Sequence, residues 1–75
     1  MTQGERVREI RKALGLTLEK FGDKLGVKKN TLSALERGVN GLTDQMAKSI
    51  CREFNVSYDY LIYGDGDMFD SLPQT

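Results

Sequence analysis

The segment from Phe21 to Gly38, FGDKLGVKKNTLSALERG, concentrates side chains that can form hydrogen bonds. These side chains gather where its second half begins: Lys28, Lys29, Asn30, Thr31 and Ser33. Lysine can donate to guanine O6 and N7, asparagine matches the N6 and N7 edge of adenine, and serine suits either base. The segment could therefore contact the base edges of a nucleic acid. The same residues would also suit an ordinary solvated helix face, and that alternative stays open at this point.

The apolar residues of this segment are spaced for two short helices joined by a turn that contains a glycine. Two helices joined in this way form a helix-turn-helix unit. The helices of such a unit cross closely, and Gly22 supplies the small residue needed at the crossing point. The turn needs a residue that tolerates a positive φ angle, and Gly26 supplies it. The spacing therefore predicts a helix-turn-helix.

Apolar periodicity along the rest of the chain predicts an all-α fold of five short helices without strands. The expected helices cover roughly residues 3–14, 18–25, 29–36, 44–54 and a last helix that Ser57 opens and that runs through Tyr63. On the first helix we expect the basic residues on the faces away from the core: Arg6, Arg8, Arg11 and Lys12. After Gly64 the periodicity ends. We therefore expect one domain over residues 1–64 and an acidic tail or linker over residues 65–75.

The formal net charge of zero conceals an uneven distribution. Residues 1–40 hold nine Lys and Arg against five Asp and Glu, whereas residues 41–75 hold two against six. A basic first half suggests a surface that faces a polyanion, although chance clustering on solvated faces would give the same count.

Several classes of protein do not fit the composition. One cysteine and no histidine leave no disulfide framework and no plausible zinc site, so we expect neither a metal nor a cofactor. No apolar stretch is long enough to span a membrane, and no signal peptide is visible, so the cytoplasm is the expected location. No nucleophile has a candidate base, and no glycine-rich phosphate loop occurs, so we do not expect an enzyme.

The run LTLEKFGDKLGVKKNTLSALERG resembles the helix-turn-helix of the phage-repressor superfamily, also called Cro/CI-like or XRE-type. The resemblance extends from about Arg6 through SYDYLIYGDG and includes both glycines of the motif and the ERG ending. It implies a compact five-helix, lambda-repressor-like domain with the helix-turn-helix at helices 2 and 3. Such domains bind operator DNA, usually as dimers, and most often repress transcription.

The resemblance also implies roles for individual residues, because the second helix of the motif enters the major groove with its N-terminal residues. We expect DNA base contacts from Lys29, Asn30, Ser33 and Ala34. We expect phosphate contacts from Lys28, Thr31, Arg37, Arg11, Thr17 and Asn40. In the family, an arginine late in the first helix pairs with a glutamate at the end of the recognition helix, and Arg11 and Glu36 stand at the matching positions.

Three departures from the family pattern remove phosphate contacts. Leu18 replaces the usual glutamine, the loop VNGL carries no charge, and Lys28 replaces a Ser or Thr cap. We therefore expect a modest affinity for DNA per monomer.

The function expected from the sequence is a transcriptional repressor that binds double-stranded DNA at a pseudo-palindromic operator as a homodimer. The dimer surface is expected on the last helix and the tail, at Tyr60, Ile62, Tyr63, Met68 and Phe69. Two alternatives remain: a protein-interaction module such as an antitoxin, which would use that same surface, and the DNA-binding domain of a longer repressor.

Overall fold

The computed structural model describes residues 1–70, which form five α-helices. These are α1 (Gln3–Ala13), α2 (Leu18–Leu25), α3 (Lys29–Glu36), α4 (Asp44–Phe54) and α5 (Tyr58–Tyr63). Strand pairing within residues 1–70 is limited to one antiparallel bridge between Val56 and Phe69. The all-α fold with five helices is therefore confirmed. Helix α1 ends one residue earlier than predicted, because Leu14 is its C-cap.

Side-chain caps explain where four of the helices begin. The hydroxyl groups of Thr2, Thr17, Thr43 and Ser57 each accept a hydrogen bond from the backbone three residues later, at 3.1–3.3 Å. Each cap satisfies one of the backbone N–H groups that lack a partner inside the helix. Three helices end at a residue in the left-handed conformation, which Gly26, Asn55 and Gly64 adopt. Local sequence therefore sets most of the helix ends.

The core is built from one or two side chains of each helix. The largest fully buried side chains are those of Phe21, Ile10, Leu32, Ile50, Leu61, Val7 and Val56. The rings of Phe21 and Phe54 stack with their centroids 4.9 Å apart, which joins α2 to α4. Helix α1 packs against both α3 and α5, and α2 packs against α3. This arrangement holds α3 between α1 and α2 while leaving its outer face uncovered.

Arg6 is not on an exposed face, so that part of the sequence prediction is wrong. Its side chain is buried, with 8% of the residue exposed. The guanidinium Nε donates to the Leu61 carbonyl at 2.8 Å, Nη2 to Ile62 at 2.9 Å and Nη1 to Met1 at 2.8 Å. The last carbonyls of a helix lack partners and attract a cation, so Arg6 ties the C-terminal end of α5 to α1.

The chain after α5 returns to the connection between α4 and α5. The Ser57 N–H donates to the Met68 carbonyl at 2.9 Å, and the Asp70 N–H donates to Asn55 at 3.0 Å. Phe69 is half-buried against the core. In the described part of the acidic tail predicted over residues 65–75, Met68 and Phe69 therefore pack against the core, whereas residues 65–67 are exposed. Residues 71–75 of that tail lie outside the described residues, and the domain boundary at residue 64 stays a prediction.

The apolar surface predicted near α5 is smaller than expected. Tyr63 is 67% exposed, whereas its four companions in the prediction are half-buried: Tyr60, Ile62, Met68 and Phe69. All four pack against the core, which accounts for the difference.

None of the five helices, the longest of which has 11 residues, is long and apolar enough to cross a membrane.

Candidate nucleic-acid interface

Two glycines fix the angle between α2 and α3. Gly22 is buried, and a Cβ placed there would collide with the Val27 carbonyl oxygen and lie 3.2 Å from Leu32 Cδ1. The Val27 N–H donates to the Gly22 carbonyl at 2.9 Å, which closes the turn. Gly26 ends α2 with a φ of 75°, a conformation that L-residues with a Cβ rarely adopt. The helices can therefore approach closely enough for α3 to stand out from the domain.

Helix α3 has one apolar face and one polar face. Leu32 and Leu35 are buried in the core. The polar residues at its start are all exposed, namely Lys28, Lys29, Asn30 and Thr31. Ser33 and Ala34 are half-buried beside them. The polar face therefore presents ammonium, amide and hydroxyl groups in one continuous patch, which is the chemistry that base edges and phosphates require.

The first turn of α3 has no side-chain cap. Lys28 is its N-cap residue and forms no capping hydrogen bond with its side chain. The first N–H groups of a helix lack intrahelical partners and carry a partial positive charge. Together with the ammonium groups of Lys28 and Lys29, this end of α3 attracts anionic oxygen atoms.

Two carboxylates that the sequence reading did not single out lie close to this patch. Glu19 and Asp23 of α2 line a shallow depression that also borders Lys28, Lys29 and Asn30. Carboxylates repel phosphate but can accept a hydrogen bond from the N4 amino group of cytosine. Their four-residue spacing, which places them on one side of α2, is the signal that could have revealed them.

The Arg11–Glu36 pair predicted from the family resemblance is present. The Arg11 Nε donates to Glu36 Oε2 at 2.8 Å, and Nη2 donates to Oε1 at 3.2 Å. Nη1 donates to the Leu16 carbonyl at 3.0 Å. Only 16% of the Arg11 side chain and 7% of the Glu36 side chain are exposed. The pair therefore joins the end of α3 to α1, and it leaves Arg11 little surface for a phosphate.

A buried glycine that the sequence reading missed also holds α3 in place. A Cβ at Gly4 would collide with the Leu35 carbonyl oxygen and lie 3.0 Å from that of Glu36. Helix α1 can therefore approach the last turn of α3 only because residue 4 has no side chain. A glycine inside a helix costs about 1 kcal/mol relative to alanine, and this unfavourable choice was the available signal.

The other predicted contact residues are exposed around α3. The Arg37 Nε donates to the Ser33 carbonyl at 3.3 Å, and neither Nη group forms a hydrogen bond within residues 1–70. The loop after α3 folds back, because the Asn40 N–H donates to the Ala34 carbonyl at 3.3 Å. Thr17, at the start of α2, is exposed and accepts a hydrogen bond from the Lys20 N–H.

Comparisons with known proteins agree with this geometry. A family model described as helix-turn-helix (HTH_3) matches residues 7–61. An uncharacterised HTH-type transcriptional regulator of Archaeoglobus fulgidus is 34% identical over 65 residues, which are 85% of this chain and 93% of the relative. The antitoxin PezA of Streptococcus pneumoniae is 34% identical over 55 residues, which are 73% of this chain but only 35% of PezA.

A solved structure is similar as well. The crystal structure of the P22 c2 repressor in complex with synthetic operator 9T superimposes with a TM-score of 0.77 at 29% identity. The match covers 87% of this chain and 98% of the P22 chain.

Proposed function

Because this chain belongs to the helix-turn-helix family of phage-repressor-like (XRE-type) DNA-binding transcriptional regulators, we propose that it represses transcription by binding a pseudo-palindromic operator as a homodimer. The observation that carries the proposal is the exposed polar patch at the start of α3. Packing of α3 against α1 and α2 leaves this patch facing outward. The similar P22 c2 repressor was solved on a synthetic operator, which supports DNA as the partner here.

In the proposed complex, α3 lies in the major groove and its first two turns read the bases. Lys29 donates to guanine O6 and N7, and the Asn30 amide pairs with N6 and N7 of adenine. Ser33 contacts a base of either type, and the Ala34 methyl group packs against a thymine methyl group. Lys29 and Asn30 are more exposed than Ser33 and Ala34 and therefore carry most of the base discrimination.

Phosphate contacts hold α3 in register on the duplex. We assign them to six residues around the patch: Lys28, Thr31, Arg37, Thr17, Asn40 and Arg11. Lys28 supplies charge beside the uncapped N–H groups of α3, and backbone amides of this kind bind phosphate directly. Arg11 contributes the least of the six, because its guanidinium is already bonded to Glu36 and Leu16.

A homodimer follows from the small size of one reading patch. Eight residues of α3 reach only a few base pairs, and two copies related by a twofold axis read two half-sites about 34–36 Å apart. Tyr63 at the end of α5 is 67% exposed, and we assign it to the contact between the two copies.

The proposal is tested by selection from a pool of randomised DNA duplexes at two salt concentrations. We expect a consensus with two inverted half-sites, and an affinity that falls steeply as salt rises, because bound lysines and arginines displace counterions. Recovery of salt-dependent binding without any consensus would contradict a sequence-specific repressor, as would an asymmetric consensus with a single half-site.

The match with PezA favours a second candidate function, in which the chain acts as an antitoxin or as the DNA-binding part of a longer regulator. A variant with Lys29→Ala and Asn30→Ala separates the candidates in cells. If DNA reading is the function, the variant loses the regulatory effect. If the surface near α5 binds a protein partner instead, the variant keeps the effect and a Tyr63→Ser variant loses it.

A further inference from the structure

Two of the most exposed hydrophobic residues lie at the same edge of the molecule. Met1 is 73% exposed and Tyr63 is 67% exposed. The Nη1 group of Arg6 donates to the Met1 carbonyl at 2.8 Å, and the same atom lies 3.2 Å from the Cβ position of Gly64, the residue after Tyr63. The start of α1 and the end of α5 therefore form one edge, and Tyr63 projects from it.

A groove runs between α1 and α5 next to this edge. It is lined by Met1, Glu9, Lys12, Ala13, Tyr60 and Met68. Tyr60 lies three residues before Tyr63, so the groove and the projecting Tyr63 side chain are neighbours on α5. Met1, Ala13, Tyr60 and Met68 supply its apolar surface, and its charged lining residues, Glu9 and Lys12, come from α1.

The two sides of this edge differ in charge. The α5 side carries the exposed carboxylates of Asp59, Asp65 and Asp67, and no Lys or Arg occurs between residues 53 and 75. The α1 side carries Lys12, which is exposed and forms no ion pair within residues 1–70. Among the residues that line the groove, Lys12 is the cation and Glu9 the anion.

We infer that the groove receives Tyr63 from a second copy of this chain, and that Asp59 of each copy faces Lys12 of the other. This inference rests on the proposed homodimer and defines its interface. In a twofold dimer both copies use the same surface. When the axis runs between Tyr63 and the groove, Tyr63 of each copy can therefore enter the groove of the other. Asp59 lies four residues before Tyr63, on the same side of α5, and therefore also faces α1 of the other copy.

Charge disfavours the simpler arrangement in which α5 packs directly on α5. That arrangement would bring three carboxylates of each copy together with no Lys or Arg from residues 53–75 between them. Like charges placed opposite each other destabilise an interface. Pairing α5 with α1 of the partner replaces this repulsion with attraction between Asp59 and Lys12.

Sedimentation equilibrium of the full 75-residue chain tests the interface with four variants. We expect Tyr63→Ser to weaken dimerisation more than about tenfold, because it removes a central aromatic side chain. Lys12→Glu and Asp59→Lys should each weaken it roughly threefold to tenfold, and the double variant with both changes should recover most of the loss. Circular dichroism should show unchanged helix content, since all three side chains are on the surface.

Matched controls lie away from the groove. Val39→Ser removes a hydrophobic side chain that is also 67% exposed, and Lys24→Glu reverses an exposed charge on α2; neither should change dimerisation. If the wild-type chain dimerises and Tyr63→Ser and both single charge reversals dimerise equally well, this interface is overturned while the proposed dimer stands. A wild-type chain that remains a monomer even on the selected duplex would overturn both proposals.

Discussion

Among single residues, Arg11 and Glu36 link the end of α3 directly to α1. Their side chains form two hydrogen bonds, at 2.8 and 3.2 Å, in a site that is largely closed to water. Charged groups in such a site depend on each other, because either one alone would be left buried without a partner. The main role of the pair is therefore structural, and it affects DNA binding by fixing the position of α3.

Glu36→Ala should lower the free energy of unfolding by about 3–5 kcal/mol, since it leaves the Arg11 guanidinium unpaired. For a domain of this size, that loss corresponds to a fall in Tm of more than about 10 °C. Thermal unfolding followed by circular dichroism measures it. Lys48→Ala is the control, because the Lys48–Asp44 pair is more than half exposed and should contribute less than about 1 kcal/mol. An unchanged Tm for Glu36→Ala would show that the pair does not stabilise the fold.

At the level of elements, the crossing of α2 and α3 depends on the absence of a side chain at Gly22. Alanine is favoured over glycine in a helix by about 1 kcal/mol, so Gly22→Ala would stabilise an uncrowded helix. Here the added Cβ meets the Val27 carbonyl oxygen, and we expect a loss of about 1–3 kcal/mol. Gly41→Ala is the control, because nothing lies within 4 Å of a Cβ at that position. Urea unfolding of both variants shows whether each substitution raises or lowers the free energy of unfolding.

Helices α4 and α5 are linked by a hydrogen bond from the Tyr58 hydroxyl to the Asp44 carboxylate. This bond lowers the pKa of Asp44 and raises that of Tyr58 to about 12. Its stabilising effect is therefore present at neutral pH, where Asp44 is ionised and Tyr58 protonated. The effect disappears as the pH falls through the lowered pKa of Asp44 or rises through about 12.

Tyr58→Phe should therefore lower Tm at pH 7, and the difference from the wild type should shrink as the pH falls from the ordinary pKa of an aspartate through the lowered pKa of Asp44. Scanning Tm against pH for both proteins checks this. Tyr63→Phe, which removes a hydroxyl from an exposed tyrosine, should show no such dependence. A difference that stays constant down to pH 2 would mean that the Tyr58–Asp44 bond contributes nothing.

Across the whole molecule, the sequence was sufficient for features that depend on neighbouring residues. Helix starts follow from Thr17, Thr43 and Ser57, and the turn follows from Gly22 and Gly26, because each of these residues acts within a few positions of itself. The polar face of α3 likewise follows from the spacing of Leu32 and Leu35. The family resemblance added the Arg11–Glu36 pair, which spans 25 positions.

Three features that the sequence did not reveal depend on distant backbone atoms. Arg6 binds carbonyl groups 55 and 56 residues away, and the side chain that Gly4 lacks would collide with the end of α3. The segment at Met68 and Phe69 returns to pair beside Val56. Every residue type has a backbone carbonyl, so the sequence carries no sign of which one a distant side chain will meet.

Base reading by α3 is tested most directly by comparing Asn30→Ala with Lys28→Ala in fluorescence-anisotropy titrations of the selected duplex and of a scrambled one. Lys28 is a suitable match, because it adjoins Asn30 and its side chain forms no capping bond that alanine would remove. We expect Asn30→Ala to lose about 1–3 kcal/mol on the selected duplex and almost nothing on the scrambled one. Lys28→Ala should weaken both equally and reduce the salt slope by about 1. Equal weakening of both duplexes by Asn30→Ala would contradict base reading by α3.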